Sequence, residues 1–388
     1  MSFREFANRT IKVRNRTIGV GQPIFLTGEI GSAHNGSLEN AKLLVKAAAE
    51  AGCDGADIFM ANPESFFVHG ERYPETARMM ETLHRLDFTE AEWFELFEYA
   101  KAFDIILYPT PLDLPSIELC RRLGVEMINI NSDDANNYFM LKAAATLGVP
   151  VTFHDIAMGL PEVLMAVKTL QENGCRDIII LHSTHESGTL AEQYASANLE
   201  VINSYRQLFT GTGVLPGCVE HTSSDFLIYA VAAFKPALIS KHIQIKASDN
   251  ESDATISVDI ANLSSMVQKV RYVEQAIGGG LNQIVVNREN EESEWSWVRR
   301  KVLVSARPIP AGKVIEEADL TAKRPGNLGG VSPMQYVNLI GAKAKQDIPD
   351  STILEFSMFD DIQSAPYKFP SMYTYVSRDM NVKKKTGA

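Results

Sequence analysis

Two histidines stand where the last two predicted strands end. His221 follows the apolar run at 213–219, and His242 lies in the apolar run at 237–243. Imidazole nitrogens are the commonest protein ligands for divalent metal ions, so two that converge would make a plausible metal site. The alternative is that both are ordinary polar residues at strand ends. Which reading holds depends on whether the fold brings the two strand ends together.

Apolar runs typical of buried strands alternate with amphipathic runs typical of helices over residues 24–277. The predicted strands cover residues 24–30, 56–60, 105–108, 127–130, 151–154, 178–182, 213–219 and 237–243. The predicted helices cover residues 38–51, 90–103, 114–123, 138–147, 161–173, 199–209, 225–234 and 260–277. Several helix boundaries carry the expected signals, with Pro161 at a first turn and Gly52, Gly124 and Gly174 just past C-terminal ends.

This alternation makes eight β-then-α units. Such units predict parallel strands with helical crossovers, and eight in one domain favour a closed (β/α)8 TIM barrel. An open doubly wound sheet is the alternative, but no Gly-x-Gly-x-x-Gly follows the first strand, which argues against a dinucleotide site. Because barrel active sites lie at the C-terminal ends of the strands, His221 and His242 are predicted to share one.

Composition excludes several classes of function. The chain has 388 residues and a net charge of -11, so it lacks the basic character that non-specific nucleic-acid binding requires. No apolar run approaches the ~20 residues of a spanning helix, and the start of the chain has no signal-peptide pattern. The four cysteines are widely spaced, which is typical of buried thiols in a reducing compartment. We therefore expect a cytoplasmic protein that contacts neither membrane nor nucleic acid.

The pattern of predicted secondary structure changes after the last long helix. Beyond residue 299, short β-like pieces rich in Gly and Pro replace the α/β pattern. The sequence predicts a barrel at 1–280, an acidic linker at 281–298, a compact β-rich domain at 299–362 and a frayed tail at 363–388.

Motifs spread over nearly the whole chain resemble those of the sialic acid synthases, the family of N-acetylneuraminate, legionaminate and pseudaminate synthases. In the barrel they are Gly-Glu-Ile-Gly at 28–31, Ala-His-Asn-Gly at 33–36, Tyr-Pro-Thr-Pro at 108–111, His-Ser-Thr at 182–184, Glu-His-Thr at 220–222 and Lys-His at 241–242. In the C-terminal part they are Ala-Arg-Pro-Ile-Pro-Ala-Gly at 306–312 and Leu-Thr-Ala-Lys-Arg-Pro-Gly at 320–326. The resemblance implies a metal-dependent barrel with a C-terminal antifreeze-like (SAF) domain, which joins phosphoenolpyruvate to an N-acetylated amino-sugar.

The resemblance also implies roles for particular residues. His221 and His242 stand where the family binds its divalent cation, usually Mn2+, although a pair of histidines also accepts Mg2+ or Zn2+. Glu29 stands where a carboxylate contacts the acceptor sugar and the metal-bound water. Three positions surround the phosphoenolpyruvate: Asn35, Thr110 and Ser132. Arg324 matches a residue that reaches over the barrel mouth of a neighbouring subunit, which implies a domain-swapped homodimer.

The chain departs from the family pattern at the donor end. Asp57 and Asn129 replace two lysines that bind the phosphate, and His185 lies in a segment that has lost the family's usual residues. The loop around Asp253 keeps its aspartate but loses a histidine. At an effective dielectric of ~20 a unit charge pair ~4 Å apart is worth ~4 kcal/mol, so these changes would weaken binding of a highly charged donor by orders of magnitude. Lys246 or a displaced arginine could compensate.

Three hypotheses for function follow. The first is a metal-dependent enzyme that forms a carbon–carbon bond between an enolpyruvyl-type donor and a sugar-like carbonyl compound in nonulosonic acid, polysaccharide or natural-product synthesis. The second is a repurposed barrel with lyase, aldolase or epimerase activity that does not use phosphoenolpyruvate. The third is a catalytically silent binding subunit. Asp57 and His185 have either acquired new roles or drifted after a constraint was lost.

Overall fold

A computed structural model describes residues 10–70, 72–185, 187–224, 226–249, 253–278, 301–325 and 330–362. The chain divides into two compact units after Gly278. The predicted linker at 281–298 and tail at 363–388 lie outside the described residues. Within the described residues, no helix is both long and apolar enough to cross a membrane.

The first unit is the predicted barrel. Its strands are, in chain order, β1 (Thr10–Val13), β2 (Arg16–Gly19), β3 (Phe25–Gly31), β4 (Gly55–Met60), β5 (Ile106–Pro111), β6 (Ile128–Ile130), β7 (Val151–His154), β8 (Ile178–Ser183), β9 (Val214–Glu220), β10 (Leu238–Gln244) and β11 (Val258–Asp259). Strands β3 to β10 are parallel neighbours in the order β5-β4-β3-β10-β9-β8-β7-β6. The two end strands of this order, β5 and β6, also contact each other, so the sheet curls into a nearly closed barrel. The predicted TIM-barrel fold is confirmed.

Helices follow each barrel strand and cover its outer surface. They are α1 (Leu38–Ala51), α2 (Pro63–Phe66), α3 (Pro74–Leu86), α4 (Glu90–Lys101), α5 (Leu114–Leu123), α6 (Tyr138–Ala145), α7 (Leu160–Glu172), α8 (Leu190–Ser196), α9 (Glu200–Leu208), α10 (Leu227–Ala233) and α11 (Ile260–Ile277). Short 3-10 turns add Ser132–Asp134 after β6 and Ala247–Asp249 after β10. Apolar helix faces and outward strand side chains together form the main core. Burial of this layer, at roughly 25 cal/mol per Å² of apolar surface, is the main stabilising term of the barrel.

The interior of the barrel is closed at the N-terminal ends of its strands. Phe25, Ile106 and Leu238, which begin three of the strands, lie in one buried cluster with side chains of the β1–β2 hairpin, including Ile11 and Ile18. The sequence analysis did not predict this hairpin. This cluster fills the lower end of the interior, and the polar side chains described below lie toward the mouth, where the strands end.

The second unit contains two small antiparallel sheets. They pair β12 (Val302–Ser305) with β13 (Leu320–Lys323), and β14 (Lys343–Ala344) with β15 (Phe359–Asp360). Its 3-10 turns are Glu317–Asp319, Pro333–Asn338 and Phe356–Met358. The fully buried carboxylate of Asp319 accepts a hydrogen bond from Arg307 Nε at 2.7 Å, and it also pairs with Lys313. This polar centre lies beside a separate apolar core that includes Leu303, Ile309 and Phe359.

A buried histidine–carboxylate pair supports the outer side of the barrel near the end of β8. Nδ1 of His182 lies 3.0 Å from Asp155 Oδ2, and its Nε2 lies 2.8 Å from the Ala197 carbonyl oxygen. The Tyr205 hydroxyl donates to the same carboxylate oxygen at 2.9 Å. Burial disfavours the imidazolium, but the carboxylate and the carbonyl outweigh burial and raise the pKa of His182. Both ring nitrogens therefore face acceptors, as a protonated imidazole requires.

We expect the His182→Gln variant to lose more stability at pH 6 than at pH 9. A raised pKa means that protonation stabilises the fold fully below the ordinary value of about 6.5, and that this contribution is lost as the pH rises through the folded-state value. The expected loss at pH 6 is about 1.5–3 kcal/mol, the range for a hydrogen bond to a charged group. Urea denaturation at both pH values measures it, with His84→Gln on the exposed face of α3 as the control. Equal losses at the two pH values would show that His182 is neutral in the fold.

Candidate metal centre and active site

The two predicted metal ligands converge at the barrel mouth. The rings of His221 and His242 have their centroids 5.2 Å apart. His242 Nε2 lies 3.3 Å from Glu29 Oε1, and the three side chains place one ligand atom each within 4.8 Å of the others. Glu29 and His242 are buried and His221 is half-buried. The structure thus brings a carboxylate to the pair of imidazoles.

Strand geometry explains this convergence. In the parallel register of β10 and β3, His242 pairs directly with Glu29. Since side chains alternate between the two faces of a strand, both residues point into the barrel. Gly31 makes room for the histidine, because a Cβ on it would lie 3.3 Å from His242 Cε1 and its φ of +51° is in the left-handed region.

The donor set fits a divalent cation. Burial lowers the pKa of His221 to about 4, so its imidazole is neutral and able to act as a ligand at pH 7. Burial raises the pKa of Glu29, an effect that the neighbouring His221 and Ser240 partly offset. Ser240 donates to Glu29 Oε2 at 2.9 Å and leaves Oε1 facing His242. A cation here would compensate a carboxylate that burial has deprived of water.

A second polar cluster adjoins the metal centre on the side of β4, β5 and β6. Asp57 pairs in register with Glu29 across β3 and β4, and its carboxylate accepts hydrogen bonds from Thr110 at 2.7 Å and from Asn129 at 3.1 Å. Burial raises the pKa of Asp57 well above its ordinary value, and the charge of Glu29 raises it further. No lysine or arginine of the described residues hydrogen-bonds to this carboxylate.

His154 connects the two clusters. Its Nε2 lies 3.0 Å from the Asn129 amide nitrogen, and its ring centroid is 6.2 Å from that of His221. Burial lowers the pKa of His154 to about 3, so it is a neutral hydrogen-bonding partner. The sequence analysis gave His154 no role beyond its place at the end of the predicted strand 151–154. The strand alternation that places it on the same face as Thr152 is the signal that could have put it at the mouth.

A cavity of about 530 Å³ lies among the segments that follow β3, β4, β5, β6 and β10. Its wall combines apolar side chains, among them Phe59 and Trp93, with the polar residues Asn35, Asp133 and Asp253. Arg85, near the end of α3, is the only lysine or arginine that lines it within the described residues. Asp253 accepts a long hydrogen bond from Ser32 at 3.4 Å, which holds the loop after β10 against the loop after β3.

The remaining predicted site residues lie in different settings. Ser132 begins the turn after β6 and is half-buried, while His185 and Lys246 are exposed on the loops after β8 and β10. Arg324 is exposed just after β13 in the second unit. The two histidines therefore share one polar site with four buried residues, which are Glu29, Asp57, Thr110 and Asn129. The roles of the other predicted residues stay predictions.

Comparisons with known proteins agree with this picture of the fold. A model described as the NeuB family matches residues 44–282, and a model of the SAF domain matches residues 300–360. An uncharacterized protein of Methanocaldococcus jannaschii is 29% identical over 89% of this chain and 97% of its own. The N,N'-diacetyllegionaminic acid synthase of Campylobacter jejuni is 25% identical over 85% of this chain and 98% of its own. The crystal structure of a sialic acid synthetase from Leptospira borgpetersenii in complex with citrate superimposes with a TM-score of 0.65 at 23% identity, over 74% of this chain and 95% of that one, and so shows a common fold.

The metal centre makes a direct prediction. The protein should bind one Mn2+ per chain, and Glu29→Gln should weaken that binding by more than about 10-fold, the lower bound for losing even an outer partner of a metal ligand. Glu172→Gln, which makes the same chemical change on the exposed end of α7, should leave the affinity unchanged. Isothermal titration of the metal-free protein with Mn2+ measures both. Equal affinities for the two variants would remove Glu29 from the site.

Proposed function

Because the chain belongs to the NeuB family, we propose that it is a metal-dependent synthase that joins an enolpyruvyl-type donor to the carbonyl group of a sugar-like acceptor. The observation that carries this proposal is the convergence of Glu29, His221 and His242 at the open end of the barrel. The relatives support the acceptor class, since the Campylobacter jejuni protein is named as a legionaminic acid synthase. The third hypothesis, a silent binding subunit, is disfavoured because these three potential ligands are retained together.

Several side chains of the mouth have a role in this proposal. Glu29, His221 and His242 would hold the divalent ion, with Mn2+ the leading candidate and Mg2+ or Zn2+ as alternatives. Such an ion, when bound, polarises a carbonyl oxygen and stabilises the negative charge that develops on it. Ser240 donates a hydrogen bond that orients the Glu29 carboxylate, and apolar side chains, among them Phe59 and Trp93, form part of the cavity wall.

The donor end limits which donor fits. A phosphorylated enol acid carries close to three negative charges, yet the buried wall here presents Asp57, Thr110 and Asn129. Whether Asp57 is ionised or protonated, it supplies no positive charge. Such a donor would depend on Arg85 in the cavity wall or on Lys246, both of which are exposed and so partly screened by water.

This acidic wall favours a second candidate function. A barrel that has a metal centre, but whose described residues put no lysine or arginine in hydrogen-bonding contact with Asp57, is suited to an unphosphorylated substrate, such as a keto acid that undergoes aldol cleavage. The hydrogen bonds from Thr110 and Asn129 to Asp57 show an integrated polar network at this position. That network is the specific observation in favour of the lyase alternative.

The synthase proposal predicts turnover with an amino-sugar. Incubation of the protein with Mn2+, phosphoenolpyruvate and a panel of N-acylated amino-sugars, beginning with N-acetylmannosamine, should release inorganic phosphate and yield a keto acid that mass spectrometry detects. Glu29→Gln should abolish release and Glu172→Gln should retain it. No phosphate with any acceptor would refute the phosphoenolpyruvate-dependent form of the proposal.

Donor binding separates the two candidates. If the chain is a synthase of the ordinary type, phosphoenolpyruvate should bind with a Kd tighter than about 1 mM, near -4 kcal/mol. Arg85→Gln should then weaken binding, because it removes the one lysine or arginine side chain that lines the cavity in the described part of the chain. Titration calorimetry in the presence of Mn2+ measures both values. Absent binding, together with pyruvate release from a sialic acid, would support the lyase.

A further inference from the structure

A buried ion pair lies directly behind the metal centre, on the outer face of the barrel. Lys241 Nζ is 2.6 Å from Glu220 Oε2, and the two side chains are 2% and 0% exposed. The two residues pair in register across β9 and β10. Each immediately precedes a histidine of the proposed metal site, so strand alternation sends the ion pair outward and the imidazoles inward.

The hydrogen bonds of this ion pair extend along the backbone that carries His221. Lys241 Nζ also donates to the Thr222 carbonyl at 2.9 Å, and Glu220 Oε1 accepts from the Thr222 N–H at 2.7 Å. Thr184 accepts from the His221 N–H at 2.8 Å and donates to Glu220 Oε1 at 3.5 Å. The segment that leaves β9 is therefore bound on both sides of the histidine, by β10 and by the end of β8.

We infer that Glu220, Lys241 and Thr184 are positioning residues that hold the two imidazoles at the separation a metal ion requires. This inference rests on the proposed metal site. Stability alone does not account for the pair, because a buried ion pair can often be replaced by apolar residues of similar volume without loss of stability. An apolar pair could not form directional hydrogen bonds to the Thr222 backbone, and so could not fix the ends of β9 and β10 relative to each other.

The experiment compares Mn2+ affinity, thermal unfolding and Mn2+-dependent activity for four variants of the full chain. Lys241→Met removes one ion and leaves Glu220 buried without it, whereas the double variant Glu220→Gln/Lys241→Met removes both charges. Thr184→Val removes only the hydroxyl that binds the His221 N–H. Arg271→Met is the matched control, because it breaks a part-buried ion pair with Asp54, at a distance of 2.9 Å, where β4 begins at the far end of the barrel.

The expected result is a 10- to 100-fold weaker Mn2+ affinity, about the effect of losing a group that orients a metal ligand, in the double variant and in Thr184→Val. Both should unfold cooperatively, and their activity should recover at saturating Mn2+, which a general loss of structure would not allow. Arg271→Met should lower stability and leave Mn2+ affinity unchanged. Should Lys241→Met fail to fold, the double variant and Thr184→Val decide the question.

Two results would overturn the inference in distinguishable ways. If the parent protein binds Mn2+ and the folded double and Thr184→Val variants bind it within about twofold, the positioning role is wrong while the metal site stands. If the parent protein binds neither Mn2+, Mg2+ nor Zn2+, the proposed metal site itself is wrong, and the positioning role falls with it.

Discussion

The barrel mouth is organised around a carboxylate and two imidazoles whose potential ligand atoms all lie within 4.8 Å of one another. Burial lowers the pKa of His221 and raises the pKa of Glu29, because both groups have lost water that would stabilise their charged forms. Lys241 points to the other side of the sheet and is bound to Glu220. A divalent cation is the simplest species that would satisfy a carboxylate and two imidazoles at these separations.

The parallel strand register determines where each chemical group lies. Residues on alternate positions of β10 serve two purposes, since Ser240 and His242 face the mouth while Lys241 faces outward. The same alternation at the end of β9 points Glu220 outward, beside Lys241, and the next residue, His221, toward the mouth. The β1–β2 hairpin packs against apolar side chains inside the lower end of the barrel, and the polar network described above lies toward the mouth. The site is therefore a consequence of register and closure as much as of residue identity.

The network around Asp57 places a buried carboxylate, to which no lysine or arginine of the described residues hydrogen-bonds, beside the proposed metal centre. Asp57, Asn129 and His154 satisfy one another's hydrogen bonds, so the wall is a coherent polar structure. Within the described residues, the one arginine that lines the cavity, Arg85, is exposed, so water weakens its attraction for an anionic group. The two candidate functions differ chiefly in how they use this wall.

Much of the fold could be predicted from the sequence, because local signals mark its elements. Helices α1, α5 and α11 begin and end at the predicted residues, and a glycine follows each of them. The helices at 63–66 and 74–86 were missed, since they interrupt the link between β4 and α4 and no eight-unit pattern requires them. At the site, the two histidines could be predicted from their places at strand ends. The bonds of Asn129 to Asp57 and to His154 could not, because they join residues far apart in sequence whose meeting depends on barrel closure.

Anomalous diffraction at the manganese edge, on crystals grown with Mn2+, tests the central claim most directly. The account predicts a single strong peak between the carboxylate of Glu29 and the imidazoles of His221 and His242, with the Glu220–Lys241 ion pair intact behind it. A peak elsewhere in the barrel, or none at a saturating Mn2+ concentration, would contradict it.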